Sequence, residues 1–397
     1  MENPKRCIHE DLLRDLPDCL LFDIFWRLPM TDVVRTSVLS KRWRNFWTTA
    51  PFLNFDNRAM LLGDGSKLQN FVNQALSCWN GDRVLKFRFH SYHEIASSMY
   101  SDVDLWVNFA QRNGVEELHL HVLCITKRAW PGFDGKEVYR VPPCLYSYSS
   151  LKELSLQSCN LEISGNVQWN KLESLKINAY TAAPAVINQI LSGTPQLKVF
   201  HLTYVDKVLD SVPFGLGHFL QIWLSHALSQ ILQSIQHAEN IALSDCCTEV
   251  VGALKMNCVH SAFLNVKSLE LRCCFDDYKQ VVGVLAMFPR LEKLIIRDKK
   301  EEGLQDDTEP LKFEANIPES FLLQLRTIEV TWSERYDIFP LIEILLKYAS
   351  KLEKIVFQLY EIKSPAPSNS LSLVSQKLKG MQRSSTNCTI NITQLRI

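Results

Sequence analysis

The sequence predicts an α/β protein: a small helical module at the N-terminus, then an irregular solenoid with parallel strands on its concave face and helices outside. Three observations predict it. A short leucine-based pattern recurs ten times along the 397 residues. Amphipathic helical stretches precede several of those recurrences. The N-terminal segment carries more apolar side chains than a few short helices can enclose.

Residues 11–56 read DLLRDLPDCLLFDIFWRLPMTDVVRTSVLSKRWRNFWTTAPFLNFD. Pro17 suits the first turn of a helix, where its missing N–H costs no hydrogen bond, and Pro29 ends it. Between them Leu20, Ile24 and Leu28 recur at four-residue steps, beside Leu21 and Phe25, as a wide apolar stripe. Thr31 is a good N-cap, with Asp32 in the first turn, for a second helix through Val33, Val34 and Val38. Ser40 caps a predicted third helix, KRWRNFW, which places Trp43 and Trp47 on one face at i and i+4. The apolar surplus is that of an interface core, so a partner protein or the neighbouring domain is expected to cover it.

The repeated pattern is L-x-x-L-x-L, clearest in LKELSL from Leu151. Related stretches start at Asp82, Val115, Leu172, Leu197, Ala238, Val266, Leu291, Leu325 and Leu352, at intervals of 21 to 41 residues. Several intervals fall in the leucine-rich-repeat range of roughly 20–29 residues, and the others need insertions. Before three of the stretches, paired apolar residues stand six and seven positions ahead of the leucine: Ile190-Leu191, Val284-Leu285 and Leu345-Leu346. Pro195, Pro289 and Ser350 follow at a fixed offset, and Ala75-Leu76 hold the same place ahead of Asp82. Each unit is therefore a helix, a short turn and a strand. Neither element buries its apolar face alone, and stacking buries both.

The other strand parity points outward. Two outward positions per strand give Lys86, Arg88, His119, His121, Ser155, Gln157, Lys176, Asn178, His201 and Thr203 in the first five units. The last five give Ala242, Ser244, Glu270, Arg272, Ile295, Arg297, Glu329, Thr331, Val356 and Gln358. The first set holds three basic residues, three histidines and no acid, a composition that favours an acidic or phosphorylated partner. An ordinary solvated sheet face has the same composition. The candidate target-binding residues are Lys86, Arg88, His119, His121, Lys176 and His201.

The series Leu16-Pro17, Leu20, Ile24, Leu28-Pro29, Val33-Val34, Leu39-Ser40-Lys41-Arg42 and Trp43 resembles an F-box, the docking module that binds a Skp1-like adaptor. RTSVLSKRWRNFW followed by PFLNFD is similar to plant F-box proteins of the leucine-rich-repeat class, and FVNQAL and VPPCLYSYSSLKELSL agree with that class. Near the end, IPESFLLQLRTIEV, LLKYASKLEKIVF and QRSSTNCTINI resemble the FBD region that closes many such chains. The resemblance covers essentially the whole length. It implies a disordered N-terminus over 1–10, an F-box over 11–56, a leucine-rich-repeat solenoid over 57–317, and the FBD region with the last repeats over 318–397. It also implies that Leu16, Pro17, Leu20, Ile24, Leu28, Pro29, Val33, Leu39 and Trp43 meet the adaptor, and through it a cullin. Trp47 would pack toward the repeats, and Lys41, Arg42 and Arg44 would form a solvated rim. Two places depart from the family. Trp26 stands where a smaller or polar residue is usual, a change that bears on adaptor choice. Residues 206–236 fit the repeat poorly and include FLQIWLSHALSQIL, an extra helix or a divergent repeat.

The function so implied is substrate recognition in an SCF-type E3 ubiquitin ligase, in the cytoplasm and/or nucleus, with the target unnamed. Two alternatives stay open: a small-molecule or hormone co-receptor of the F-box/leucine-rich-repeat type, and a non-ligase repeat scaffold. Enzymatic motifs are missing: there is no Walker loop, GxGxxG, HExxH or GxSxG. Equal totals of 43 basic and 43 acidic residues leave no net field for nucleic acid or an anionic membrane. No signal-peptide core and no long uncharged apolar window occur. The 12 cysteines form no CxxC, and the adjacent pairs Cys246-Cys247 and Cys273-Cys274 lack zinc spacing, so thiols in a reducing compartment are expected, with no metal and no cofactor. DKKEEGLQDDTEP at 298–310 is expected to be a solvated insertion, and KSPAPSNSLS at 363–372 a turn or linker.

Overall fold

The computed structural model describes residues 16–39, 42–56, 65–91, 95–123, 138–179, 184–204, 235, 237–243, 263–272, 278–297, 321–332, 338–360 and 370–395. The expected N-terminal disorder at 1–10, the extra helix at 219–232 and the charged insertion at 298–310 lie outside these residues. The chain divides into two compact units, residues 1–172 and 173–397.

In the first unit, helices α1 (Asp18–Trp26) and α2 (Met30–Arg35) and two short 3-10 turns (Thr36–Val38 and Phe46–Thr49) precede strand β1 (Phe52–Asp56). Then come α3 (Gly65–Cys78), β2 (Lys86–His90), α4 (Tyr100–Arg112), β3 (Glu117–His121), α5 (Pro143–Tyr146) and β4 (Glu153–Cys159). The second unit runs β5 (Ser174–Ala179), α6 (Pro184–Ser192), β6 (Val199–Tyr204), β7 (Asn240–Leu243), β8 (Ser268–Arg272), α7 (Tyr278–Leu285) and β9 (Lys293–Arg297). It closes with β10 (Thr327–Trp332), α8 (Phe339–Tyr348), β11 (Lys354–Tyr360), α9 (Ser370–Gly380) and β12 (Thr389–Leu395). Within each unit every strand pairs in parallel with the next in sequence. The mixed α/β architecture is the one the leucine pattern predicts.

All ten predicted strands form. Two more, β1 and β12, escaped the pattern. The first sits inside the segment read as the tail of the helical module, and the second offers Ile390 and Ile392 without the leading leucines. Register carries the core: Phe87, Leu118 and Leu154 align in one row and Phe89, Leu120 and Leu156 in the next. In the second unit Leu175, Phe200, Ile241, Leu269, Leu294, Ile328 and Ile355 form a continuous row. All of these are buried, and each such side chain contributes about 1.5–3 kcal/mol of transfer free energy.

Helices cover the same side. Phe55 meets Phe71 of α3 with ring centroids 6.2 Å apart, and Phe89 meets Trp106 of α4 at 4.9 Å. The paired residues Ile190-Leu191, Val284-Leu285 and Leu345-Leu346 are buried, as are Leu197, Leu291 and Leu352. The polar tips of three of the largest fully buried side chains, Trp106, Trp169 and Tyr139, are satisfied, as burial requires. Trp106 Nε1 donates to Asn73 Oδ1 at 2.8 Å, Trp169 Nε1 to the Leu145 carbonyl at 2.7 Å, and the Tyr139 hydroxyl to Asp104 at 2.8 Å.

A second regularity lies just before the strands. The carbonyl there accepts two N–H groups from the following repeat, as Glu173 does from Lys198 and Val199 at 2.8 and 2.9 Å. The side chains at this position alternate in sign: Glu116 and Lys152 in the first unit, then Glu173, Lys198, Glu239, Lys267, Glu292, Arg326 and Glu353 in the second. In the structure Lys152–Glu116 and Lys198–Glu173 are both 2.7 Å apart, and Arg326–Glu353 is 2.9 Å. These exposed pairs add little energy each, but a pairing that skipped one repeat would bring like charges together.

The helical module departs from expectation in three places. First, α2 begins at Met30, so Pro29 rather than Thr31 precedes the helix, and the Pro29 carbonyl accepts from Asp32 and Val33 at 2.9 and 3.1 Å. Second, α2 stops at Arg35 and leaves Val38 in a 3-10 turn. Third, KRWRNFW is not an α-helix: residues 42–45 form turns that lead into the 3-10 turn, while Ser40 and Lys41 lie outside the described residues. The cause is packing. Phe25 takes Trp43 and Phe46 edge-on at 5.5 and 5.8 Å, and residues three apart meet one partner better in the tighter turn than in an α-helix. In the 363–372 stretch, the backbone from Ser370 onward is already helical in α9.

Gly114 ends α4 with φ +69°, and a Cβ there would lie 3.2 Å from Arg83 Nε. Gly114→Ala is expected to lower unfolding stability by about 1 kcal/mol or more, read as a lower denaturant midpoint with unchanged slope.

Candidate functional site

Two surfaces stand out. One is on α1. Leu21 and Phe25 turn into the module, whereas Leu20 and Ile24, one step round the helix, are 48% and 43% exposed. Pro17 beside them is exposed, and Val38 and Leu39 add 87% and 62% exposed surface. The remaining candidate adaptor residues divide. Leu16, Leu28 and Pro29 are half-buried, while Val33 and Trp43 are buried in the module itself. Arg42 is not a free rim charge: its guanidinium donates to the Leu16 carbonyl at 2.7 Å and to the Asp18 carboxylate, tying the third segment to the start of α1.

The second surface is the side of the strands opposite the helices. Register sets Lys86, Glu117 and Glu153 in one row, Asn54, Arg88, His119 and Ser155 in the next, and Asp56, His90, His121 and Gln157 in a third. The third outward position of each strand, not weighed in the sequence, brings in acids. Lys86 pairs with Glu117 at 2.9 Å, and His119 Nε2 lies 3.9 Å from Glu153. Burial, with His90 beside it, pushes His121 down to about 4, so its ring is neutral at physiological pH. This part of the face is thus mixed in charge rather than basic. A cavity of about 200 Å³ opens here, lined by Asp56, Arg88, His90, His119, His121, Ser155 and Gln157 among others.

Lys86 and Arg88 have a further role. The outward face of β1 is covered by the helical module: Phe52 meets both Phe22 and Trp26 at 5.9 Å. Arg88 lies over the Trp26 ring at 4.7 Å and Lys86 at 5.3 Å. The Asn54 amide donates to the carbonyls of Trp26 and Leu28 at 3.3 and 3.0 Å, taking up the C-terminal end of α1. Trp26 therefore anchors the module to the strands, while Trp47 is half-buried in its 3-10 turn.

In the second unit Lys176 and His201, aligned in register, are half-buried. Farther along, Glu270 is buried between Arg297 and Arg272, which reach one carboxylate oxygen at 2.9 and 3.0 Å. Burial pushes Glu270 upward, but the two guanidinium groups outweigh it and hold the carboxyl below the ordinary glutamate range. Cys19, Cys78, Cys144, Cys159 and Cys388 are free thiols. Among the described residues no helix is long and apolar enough to cross a membrane.

Comparison with known proteins gives a matching lineage. The F-box domain family matches residues 13–55, and the At1g61320/AtMIF1 LRR domain family matches residues 78–396. The chain belongs to the F-box/leucine-rich-repeat proteins. An Arabidopsis thaliana F-box/FBD/LRR-repeat protein, At1g13570, is 30% identical over 392 residues, covering 87% of this chain and 90% of that one. F-box/LRR-repeat protein 25 of the same plant is 27% identical over 67% of this chain and 89% of its own length. FBD-associated F-box protein At4g13985 is 31% identical over 49% of this chain and 42% of its own. In this F-box/leucine-rich-repeat chain, Trp26 was noticed in the sequence as a departure, but its spacing gave no hint of which strand it meets.

Trp26→Ala is expected to cost about 2 kcal/mol through lost packing and cation–π contact. Hydrogen exchange should then quicken in α1 while β9 to β11 stay protected. For Glu270, whose folded pKa is depressed, the stability contribution is full above the ordinary value of 4.5 and is lost as pH falls through the folded value. Urea midpoints of Glu270→Gln measured against pH should be flatter than wild type in that acid window.

Proposed function

We propose that this chain is the substrate-recognition subunit of an SCF-type E3 ubiquitin ligase. Its F-box docks a Skp1-like adaptor, which joins it to a cullin, and its repeat strands present a target protein. The observation that carries the reading is the exposed apolar stripe of Pro17, Leu20 and Ile24 along α1, with Val38 and Leu39 exposed as well after α2. Large apolar side chains left exposed in this number on a small helical module mark a protein interface. Leu16, Leu28 and Pro29 border it, while Val33 and Trp43 act by holding the helices that display it.

The target side of the proposal uses the outward strand positions that the F-box leaves open. In the first unit these are His119 and His121 with Ser155 and Gln157; in the second, Lys176 and His201. Lys86 and Arg88 serve the junction with Trp26, and the acids in the same rows suit a target of mixed polarity. The FBD region is proposed to close the repeats over 318–397. Bond formation to ubiquitin falls to other subunits, and this chain contributes proximity by holding adaptor and target together, which raises the effective concentration of acceptor lysines.

The test is binding of the purified chain to a Skp1-like adaptor, wild type beside Leu20→Glu/Ile24→Lys. The substituted pair sits at i and i+4 and supports the helix while removing the apolar stripe. Submicromolar binding by wild type and a loss of at least about tenfold in the variant (~1.4 kcal/mol) are expected. A folded wild type that does not bind overturns the reading.

A further inference from the structure

We propose that Glu117, His119 and Glu153 bind one divalent first-row transition-metal ion on the outward side of β3 and β4. The site shares His119 with the proposed target face, but neither the adaptor nor the target reading requires a metal there.

The placement follows from strand geometry. Glu117 and His119 are alternate residues of β3 and share a face, and Glu153 of β4 is aligned directly with Glu117. One nitrogen and two carboxylate oxygens from these side chains all lie within 4.8 Å of one another, and all three residues are half-buried. A metal bound at roughly 2.0–2.2 Å from each ligand needs the three atoms closer together, a change that rotation of the glutamate side chains supplies. The backbone beneath does not have to move. The inward residues of the same strands, Leu118, Leu120, Leu154 and Leu156, are fully packed and fix the spacing.

Chemistry and charge agree with a cation. Two carboxylates directly opposite across a strand pair repel, and an ion held between them turns that cost into attraction. Oxygen with imidazole suits zinc or manganese better than soft, thiolate-seeking ions. Lys86 is the built-in competitor, its Nζ 2.9 Å from Glu117. It is a single charge on a flexible stem already more than a third exposed, so a dication can displace it from Glu117 while it keeps its place over the Trp26 ring. The adjoining cavity of about 200 Å³ shares His119 as a lining residue and leaves room for solvent to complete the coordination sphere. His121 lines the same cavity, and its Nδ1 is buried without a hydrogen-bond partner.

The experiment is titration of the full chain with Co²⁺ under reducing conditions, followed by absorption, and with Zn²⁺ by calorimetry. Expected is one ion per chain with ligand-field bands and no thiolate-to-metal charge transfer. Glu153→Gln and His119→Ala should each weaken binding by about tenfold or more, and Lys86→Met should tighten it severalfold by removing the competing cation. Circular dichroism and thermal melts check the fold of each variant. If His119→Ala does not fold, the isosteric Glu153→Gln decides alone. Absence of stoichiometric binding by wild type overturns the proposal. So does binding that carries thiolate charge transfer, or that Glu153→Gln leaves unchanged.

Discussion

Strand parity is the constraint on which the rest of the structure depends. A parallel pair sends alternate side chains to opposite sides of the sheet, so each repeat contributes one apolar row and leaves one row outside. Because neighbours align residue for residue, those rows become continuous, from Leu175 through Phe200 and Ile241 to Ile355 in the second unit. No single strand could enclose such a row. The helices α3, α4, α6, α7 and α8 supply the opposing apolar surface, and stability is gained only when repeat stacks on repeat. Irregular spacing is tolerated because insertions lengthen the connections and leave parity untouched.

The same parity creates the outward side and allots it. At its beginning, the outward row is used for assembly: Phe52 and Arg88 receive Trp26, and Asn54 caps α1. The F-box is held through a large aromatic surface and two cations rather than through a linker alone, so the exposed stripe of Leu20 and Ile24 faces away from a fixed base. Beyond that junction the outward rows mix signs at short range. Glu117 answers Lys86, and Arg272 and Arg297 enclose Glu270. Mixed rows of this kind favour a shaped, hydrogen-bonding partner over one drawn in by charge.

Most of the fold was legible because the leucine pattern is local. A strand with Leu at alternate places and a helix with paired apolar residues announce themselves within a dozen residues, and all ten such strands are present. What escaped was set by packing between segments. The 3-10 turn at Phe46–Thr49 replaces a predicted α-helix because Phe25 collects Trp43 and Phe46 together. Strand β12 lacks the leucines and forms because β11 offers it an edge, with Ile355 aligned to Ile390.

By itself the sequence determined the fold class, the repeat strands, the helical module and the family to which they belong, since each rests on spacing within one short segment. Only the tertiary structure decided which of the marked residues share a place. Trp26 had no partner until β1 and β2 were laid beside α1. Glu117 and Glu153, more than thirty residues apart in sequence, became neighbours only through the β3–β4 register. Val33 and Trp43 looked like interface residues and proved to be core. Periodicity says that a side chain has an apolar or polar side to face, but what lies opposite depends on contacts between segments distant in the chain, which no local pattern records.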